Sequence, residues 1–368
     1  MTRTVRRFND LTQLDLDWWD SLLGSRSFYT SSPWMKHAAK SAETPPVYVT
    51  VCGNTDKFEC GLCAYPLGLE TPYVFCSPLR FVQSRAGYSN PPGEDWASRL
   101  LPALACGGRN PSHTKISASS TATAEDLELL VEEAEQAAWQ HNCNSVCFLN
   151  VDDDDVSLQA ALERRAFVRI ENQFAYSLEV PDSFDEYLSV FDHKRRTAVR
   201  REIRALEDAN VEYRLQSLSA DLIDSILPLE LSLYRKYGTP ADERAFRNVF
   251  MSLIENAPDV TRVLTAEING SIAGFVLFFT WNGEYYARQA GFDYELQGKL
   301  PLYFGLTYYQ LLKLAIQENV SQILYSAGSD LAKLSRGCIG IQQIAYIKAR
   351  DPELASKLKN LQVRSTQQ

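Results

Sequence analysis

Between Tyr286 and Arg336 the chain concentrates residue types that can move protons and hold anions: a guanidinium at Arg288, the phenols Tyr286, Tyr303, Tyr308, Tyr309 and Tyr325, the acid Asp330, and the cations Lys299, Lys333 and Arg336. Arg288 and Tyr286 flank Ala287, so on a strand they share one face. A charge inside so apolar a segment requires a partner or a ligand, which makes Arg288 the foremost single candidate. The run Tyr325-Ser-Ala-Gly-Ser-Asp330 follows a strand pattern. Ligands of α/β sheets sit at such strand ends, so Ser329, Asp330, Lys333 and Arg336 are placed to line a cleft; a helix cap followed by exposed charges fits the same residues. The turn Gln297-Gly298-Lys299 precedes a helix starting at Pro301, where free amides and the helix dipole favour an anion.

A second charged feature lies earlier. From Lys194 to Arg204 the net formal charge is +5 within a chain that is −9 overall. Arg196, Arg200 and Arg204 recur every four residues on one helix face, opposite a stripe of Val199, Ile203 and Leu206. The face reads as a solvated surface or as a dock in which Arg195, Arg196 and Arg200 grip phosphate or carboxylate. His193 beside it is a minor base candidate, and Cys338 has no neighbouring His to activate it as a nucleophile. Asp152 to Asp155 read as a helix cap rather than a cation site, and the Cys60-x-x-Cys63 pair would face opposite sides of a strand, so no metal site is assigned.

These residues need a sheet. Asn269-Gly270 and Asn282-Gly283 are two-residue hairpin turns, dividing Arg262–Gly291 into the strands 262–268, 272–281 and 285–291 of an antiparallel meander. An amphipathic helix over 301–318 crosses back to a strand at 321–327. The first half repeats the plan: a hairpin of 46–52 and 58–65 turning at Gly53-Asn54, a Pro- and Gly-rich section over 66–111, a helix over 124–141 with Leu127, Leu130, Ala134 and Ala138 on one face, and a strand at 145–151. Both halves close on related strands, Gln173-Phe-Ala-Tyr176 and Gln343-Ile-Ala-Tyr346, as expected of a diverged duplication. Ser183 and Glu186 have capping-box spacing, and Asp192 can cap a second connector helix to Asp208.

At 368 residues the chain exceeds one hydrophobic core, giving an expected division into 1–180 and 181–368, the second unit opening with the helical connector 183–208. Each is expected to be an α/β (α+β) unit, a mixed and largely antiparallel sheet flanked by helices. No apolar stretch approaches the roughly 20 residues of a membrane span, and global acidity disfavours DNA as a partner. Eight cysteines scattered through a long chain suit reduced core residues and a cytoplasmic location.

The segments Phe184-Asp-Glu-Tyr-Leu188, Lys194-Arg-Arg196, Arg200-Arg-Glu202, Tyr285-Tyr-Ala-Arg288-Gln-Ala-Gly291, Leu302-Tyr-Phe-Gly-Leu-Thr-Tyr-Tyr-Gln310 and Lys333-Leu-Ser-Arg336-Gly337 resemble the FemAB-like branch of the Gcn5-related N-acyltransferases (GNAT), over about 173–337. The resemblance implies tandem acyltransferase folds and amide formation by direct attack of an amine on an acyl group. The leading expectation is a thioester donor, an acyl carrier protein's phosphopantetheine or CoA, with a small-molecule amine as acceptor and no tightly bound cofactor. Asp330, Tyr308 and Arg288 then serve catalysis. Tyr286, Tyr303, Tyr325, Ser329, Lys333, Arg336, the Gln297–Lys299 turn and the basic helix serve binding. The alternatives are aminoacyl transfer from charged tRNA and a non-catalytic binding module. Where close relatives carry His and Glu on the crossing helix, this chain has Tyr303 and Gly305, and its 297–299 turn lacks a second Gly.

Overall fold

Strand and helix patterning in the first part of the chain produces β1 (Thr4–Phe8), β2 (Val47–Cys52), β3 (Phe58–Leu67), β4 (Ala103–Cys106), β5 (Ser117–Ala118), α1 (Ala124–Gln140), β6 (Ser145–Asp152), α2 (Val156–Arg164) and β7 (Val168–Glu179). The computed structural model describes residues 3–53, 57–69, 76–85, 95–109, 112–236, 238 and 241–364. The Gly53-Asn54 turn and much of the 66–111 section therefore lie partly outside the described residues. β1, β2, β3 and β4 pair antiparallel, and β4 pairs parallel with β6. Thr123 and Asp126 form a capping box on α1, whose Leu127, Leu130, Ala134 and Ala138 are buried as their spacing requires. Asp155 caps α2, but Asp152 is wholly buried and held by His113 (2.8 Å), Lys115 (2.9 Å) and Arg26 (3.3 Å). Burial alone would raise that carboxyl, and His113, Lys115 and Arg26 hold it well below the usual carboxylate range instead. All eight cysteines are reduced and buried.

The connector continues as α3 (Phe184–Ser189) and α4 (His193–Asp208), capped by Ser183 and Asp192. Glu186 reaches the amide of Asp182 rather than that of Ser183. Next come β8 (Glu212–Ser217) and two helices not anticipated from the sequence, α5 (Ala220–Lys236) and α6 (Glu243–Asn256). The meander is β9 (Thr261–Ile268), β10 (Ser271–Trp281) and β11 (Glu284–Phe292). Its turn residues take the left-handed φ that the Asn-Gly pairs supply, 52° and 79° at Asn269 and Gly270, 46° and 71° at Asn282 and Gly283. The helical run α7 spans 302–317 and changes from α to π between Gly305 and Gln310. Pro301 sits at its N-cap, one residue before the expected position. β12 (Gln322–Ser326), α8 (Asp330–Leu334) and β13 (Ile339–Ala349) follow.

The chain divides into Met1–Ala175 with Ile341–Gln368, and Tyr176–Gly340. This differs from the expected 1–180 and 181–368 in the placement of residues 176–180 and 341–368. The two related closing strands are exchanged: Tyr346 of β13 lies in the core of the first unit, and Tyr176 of β7 in the core of the second. In the first unit β13 pairs antiparallel with β6; in the second the order is β7-β12-β11-β10-β9-β8. Each is a mixed sheet flanked by helices.

Candidate active site

In the second unit the parallel pair at the sheet's centre is joined at one end only. β11 meets β12 through Glu284–Tyr286 against Gln322–Leu324, after which β11 runs on to Phe292 without it. β12 turns toward β7, with a register break before Ser326 at φ 55°. Beyond Tyr286 the peptide groups on this edge of β11 are therefore not paired with β12.

Two faces meet at this edge. Tyr285, Ala287, Ala290 and Phe292 join the core under α7 and α4. Gly291 faces the other way, against α5; a Cβ there would lie 2.4 Å from the backbone nitrogen of Glu230, so only glycine admits the helix this close. Leu277 pairs with Gln289 and Phe278 with Ala287, leaving Arg288 as an extra residue in β11. This β-bulge shifts the two-residue alternation of the strand after Ala287; Arg288 is half-buried and acts electrostatically on Glu230. Tyr286 is buried, its hydroxyl donating to Glu284 at 2.5 Å.

Glu230 is a site residue that the sequence reading missed. It is 3% exposed, and Gln289 donates to its two oxygens at 2.9 and 3.2 Å. Burial pushes its carboxyl up to about 7, against the lowering effects of Gln289 and Arg288. A signal existed: Glu230 stands on the stripe of Ile223, Ile226 and Leu227, where an acid contradicts the apolar period.

The opposite wall corrects several expectations. Lys333, expected as a donor contact, is buried and gives all its protons to main-chain carbonyls, those of Tyr325 (2.8 Å), Ser326 (2.8 Å) and Ala327 (2.9 Å). It gathers the end of β12 into the left-handed turn of Ser326, Gly328 and Ser329. Arg336, at 2% exposure, lies inside: it binds both oxygens of Glu202 at 2.8 and 2.9 Å, donates to Tyr309 at 2.8 Å, and stacks 3.7 Å over Phe304. It clamps α4 to α7. Tyr308 is sealed in the core, stacked on Tyr325 at 4.9 Å and hydrogen-bonded to the Tyr303 hydroxyl at 3.2 Å, so it packs rather than faces an opening. Burial drives its phenol far above the ordinary range. Tyr325 donates to the Thr307 carbonyl, within the π segment where helix carbonyls are less regularly used.

Ser329 and Asp330 remain exposed at the start of α8, and Asp330 hydrogen-bonds Tyr176. Asp293 caps a helical turn over Tyr294–Gln297, leaving Gly298 at φ 53° and Lys299 exposed before α7. On α4, Lys194, Arg200, Arg201 and Arg204 are exposed and Arg195 and Arg196 half-buried. Among the described residues no carboxylate pairs with any of them; the helix's internal acid, Glu202, is taken by Arg336. Also among the described residues, no cluster of ligating side chains could hold a metal.

A meander whose last strand parts from its parallel neighbour, with a helix crossing between them, defines the Gcn5-related acyltransferase class of fold, here in tandem. Within that class the chain belongs to the FemAB-like family, described as peptidoglycan biosynthesis/recognition, whose model matches residues 111–368. The crystal structure of FemX is similar at 10% identity with a TM-score of 0.65, covering 96% of this chain and 100% of that one. A conserved protein of unknown function from Bacteroides thetaiotaomicron gives 14% identity and 0.59, over 94% of this chain and 100% of that one. A tandem GNAT protein from the clavulanic acid biosynthesis pathway gives 12% and 0.53, over 95% and 99%. At such identities the likeness is one of fold. No curated protein matches the chain. Among the described residues no helix is long and apolar enough to cross a membrane.

Proposed function

We propose that this protein is an aminoacyl- or acyltransferase of FemAB type, forming an amide between a carried acyl group and an amine of a peptidoglycan-type peptide. The observation that carries the reading is the open edge of β11. Main-chain amides fixed along a strand are donors for the oxygen of a reacting carbonyl, and they need no reorganisation as negative charge develops on it. The amine attacks that carbon, the C–N bond forms, and the bond to the carrier breaks. The site must take a proton from the amine and return one to the leaving oxygen or sulfur.

Aminoacyl-tRNA is the leading donor. The family's description and the uncompensated cations of α4 both support it, because phosphates are bound by clustered Lys and Arg. A thioester on CoA or on an acyl carrier protein is the second reading, favoured by the exposed Gly298 and Lys299 before α7. Purified protein incubated with a lysine-containing peptidoglycan peptide and, in turn, charged tRNA, acyl-CoA and acyl-carrier protein should yield an amide by mass with charged tRNA. Product from a thioester alone reverses the ranking of donors; none from any of them leaves a binding module.

A further inference from the structure

We propose that Glu230 is the group that accepts the amine's proton, and that the acceptor therefore approaches β11 from the α5 face. This rests on the amide-forming reading above. The two faces of β11 are unequal. The face toward α4 and α7 presents apolar and aromatic side chains at Tyr285, Ala287, Ala290 and Phe292. The α5 face brings a carboxylate to the unpaired part of the strand, seated by the glycine contact at Gly291 and held by Gln289, immediately beside the bulged Arg288.

A proton acceptor for an alkylammonium should change state near neutral pH, and Glu230 does so because its burial is only partly offset. The groups acting on it are Gln289 and Arg288 from β11, and it acts in turn on Tyr234 of its own helix. The neighbouring α6 meets α5 through the Tyr234–Phe246 rings and the exposed Arg247–Asp224 pair, and it meets β10 through Phe250 and Phe275. In the step, the ammonium gives its proton to the Glu230 carboxylate. The freed amine attacks and the C–N bond forms; as the bond to the carrier breaks, the nitrogen's second proton passes to the departing alkoxide or thiolate, leaving a neutral amide, and Glu230 releases its own proton to solvent. Arg288 beside it keeps the carboxylate accessible at pH 7.

The test uses a tRNA pool charged with radiolabelled amino acids and a lysine-containing peptidoglycan peptide, comparing wild type, Glu230→Gln and Gln289→Met across pH 5 to 9. Wild-type kcat/KM should rise through an apparent pKa of about 7. Glu230→Gln should abolish that limb and lower the rate at neutral pH by about 100-fold or more, the usual contribution of a positioned base. Gln289→Met, which removes a bond that favours the charged carboxylate, should move the limb to higher pH. Hydroxylamine, already neutral at pH 7, should restore most of the rate to Glu230→Gln, which a purely structural defect would not permit. A Glu230→Gln enzyme with an unchanged limb, or no rescue by hydroxylamine, overturns the inference; so does an unmoved limb in Gln289→Met, which decides the matter if Glu230→Gln fails to fold. Carbon-13 NMR of labelled glutamate carboxyls reads the ionisation without any substrate. A Glu230 resonance titrating near the ordinary 4.5 also sinks the inference. Titration near 7 with no amide product from any donor sinks the transferase reading instead.

Discussion

Removing Arg336 or its partner should reveal a clamp rather than a donor contact, and the two removals should differ in cost. The guanidinium is 2% exposed and paired to both oxygens of Glu202, whose side chain is 19% exposed. Breaking a buried pair from one side costs about 3–5 kcal/mol, chiefly because the remaining charge is left without compensation. Glu202→Leu leaves the guanidinium inside with Tyr309, Ser335 and the Phe304 ring as its neighbours, so it should cost about 3–4 kcal/mol. Arg336→Met leaves a carboxylate on the rim of α4 that water can reach, so about 2 kcal/mol is expected. The double variant should recover part of both losses, since two apolar side chains leave no stranded charge. Urea titrations followed by hydrogen exchange in peptides from 193–208 and 302–317 measure this locally, where α4 and α7 should lose protection together. Equal costs for the two single variants, costs below about 1 kcal/mol, or an Arg336→Met protein of unchanged stability that has lost donor affinity would refute the clamp.

Further outcomes follow from the same geometry. Arg196→Ala with Arg200→Ala should leave stability within about 0.5 kcal/mol, because both lack carboxylate partners, while reducing the salt slope of charged-tRNA binding by about 1.5; an unchanged slope in a binding titration removes α4 from the donor site. Gly291→Ala should displace α5, because the new Cβ would meet backbone at 2.4 Å, and near-wild-type unfolding would show that the approach is looser than the structure has it. The Glu230 carboxyl has a raised pKa in the folded protein, so between 4.5 and about 7 the folded chain holds a proton that the unfolded chain has released. Stability contributed by this group is present below 4.5 and is lost as pH rises through about 7, so Glu230→Gln should gain about 2–4 kcal/mol on wild type by pH 8 and converge with it in acid. Parallel stability curves for the two proteins in urea would contradict that.

Elements defined by near neighbours were legible in the sequence. Asn-Gly turns fixed the meander, because they supply positive φ without help from the rest of the fold, and Ser183 and Asp192 mark helix starts by bonds only three residues long. The basic face of α4, the family and the mixed-sheet class were legible in the same way, from local spacing and motif. What the tertiary structure decided depends on partners far apart in the chain. Arg336 meets Glu202 across 134 residues and Gln289 meets Glu230 across 59, so no local pattern distinguished an internal clamp from a cleft residue, or a buried carboxylate held against β11 from an anomaly on a helix stripe. The bulge at Arg288 adds one residue to a strand whose composition does not betray it, and it reverses the faces taken by Gln289 to Phe292. The exchange of closing strands is likewise invisible to periodicity, because either strand's alternation would suit either sheet; only the packing of Tyr176 and Tyr346 into separate cores selects the arrangement.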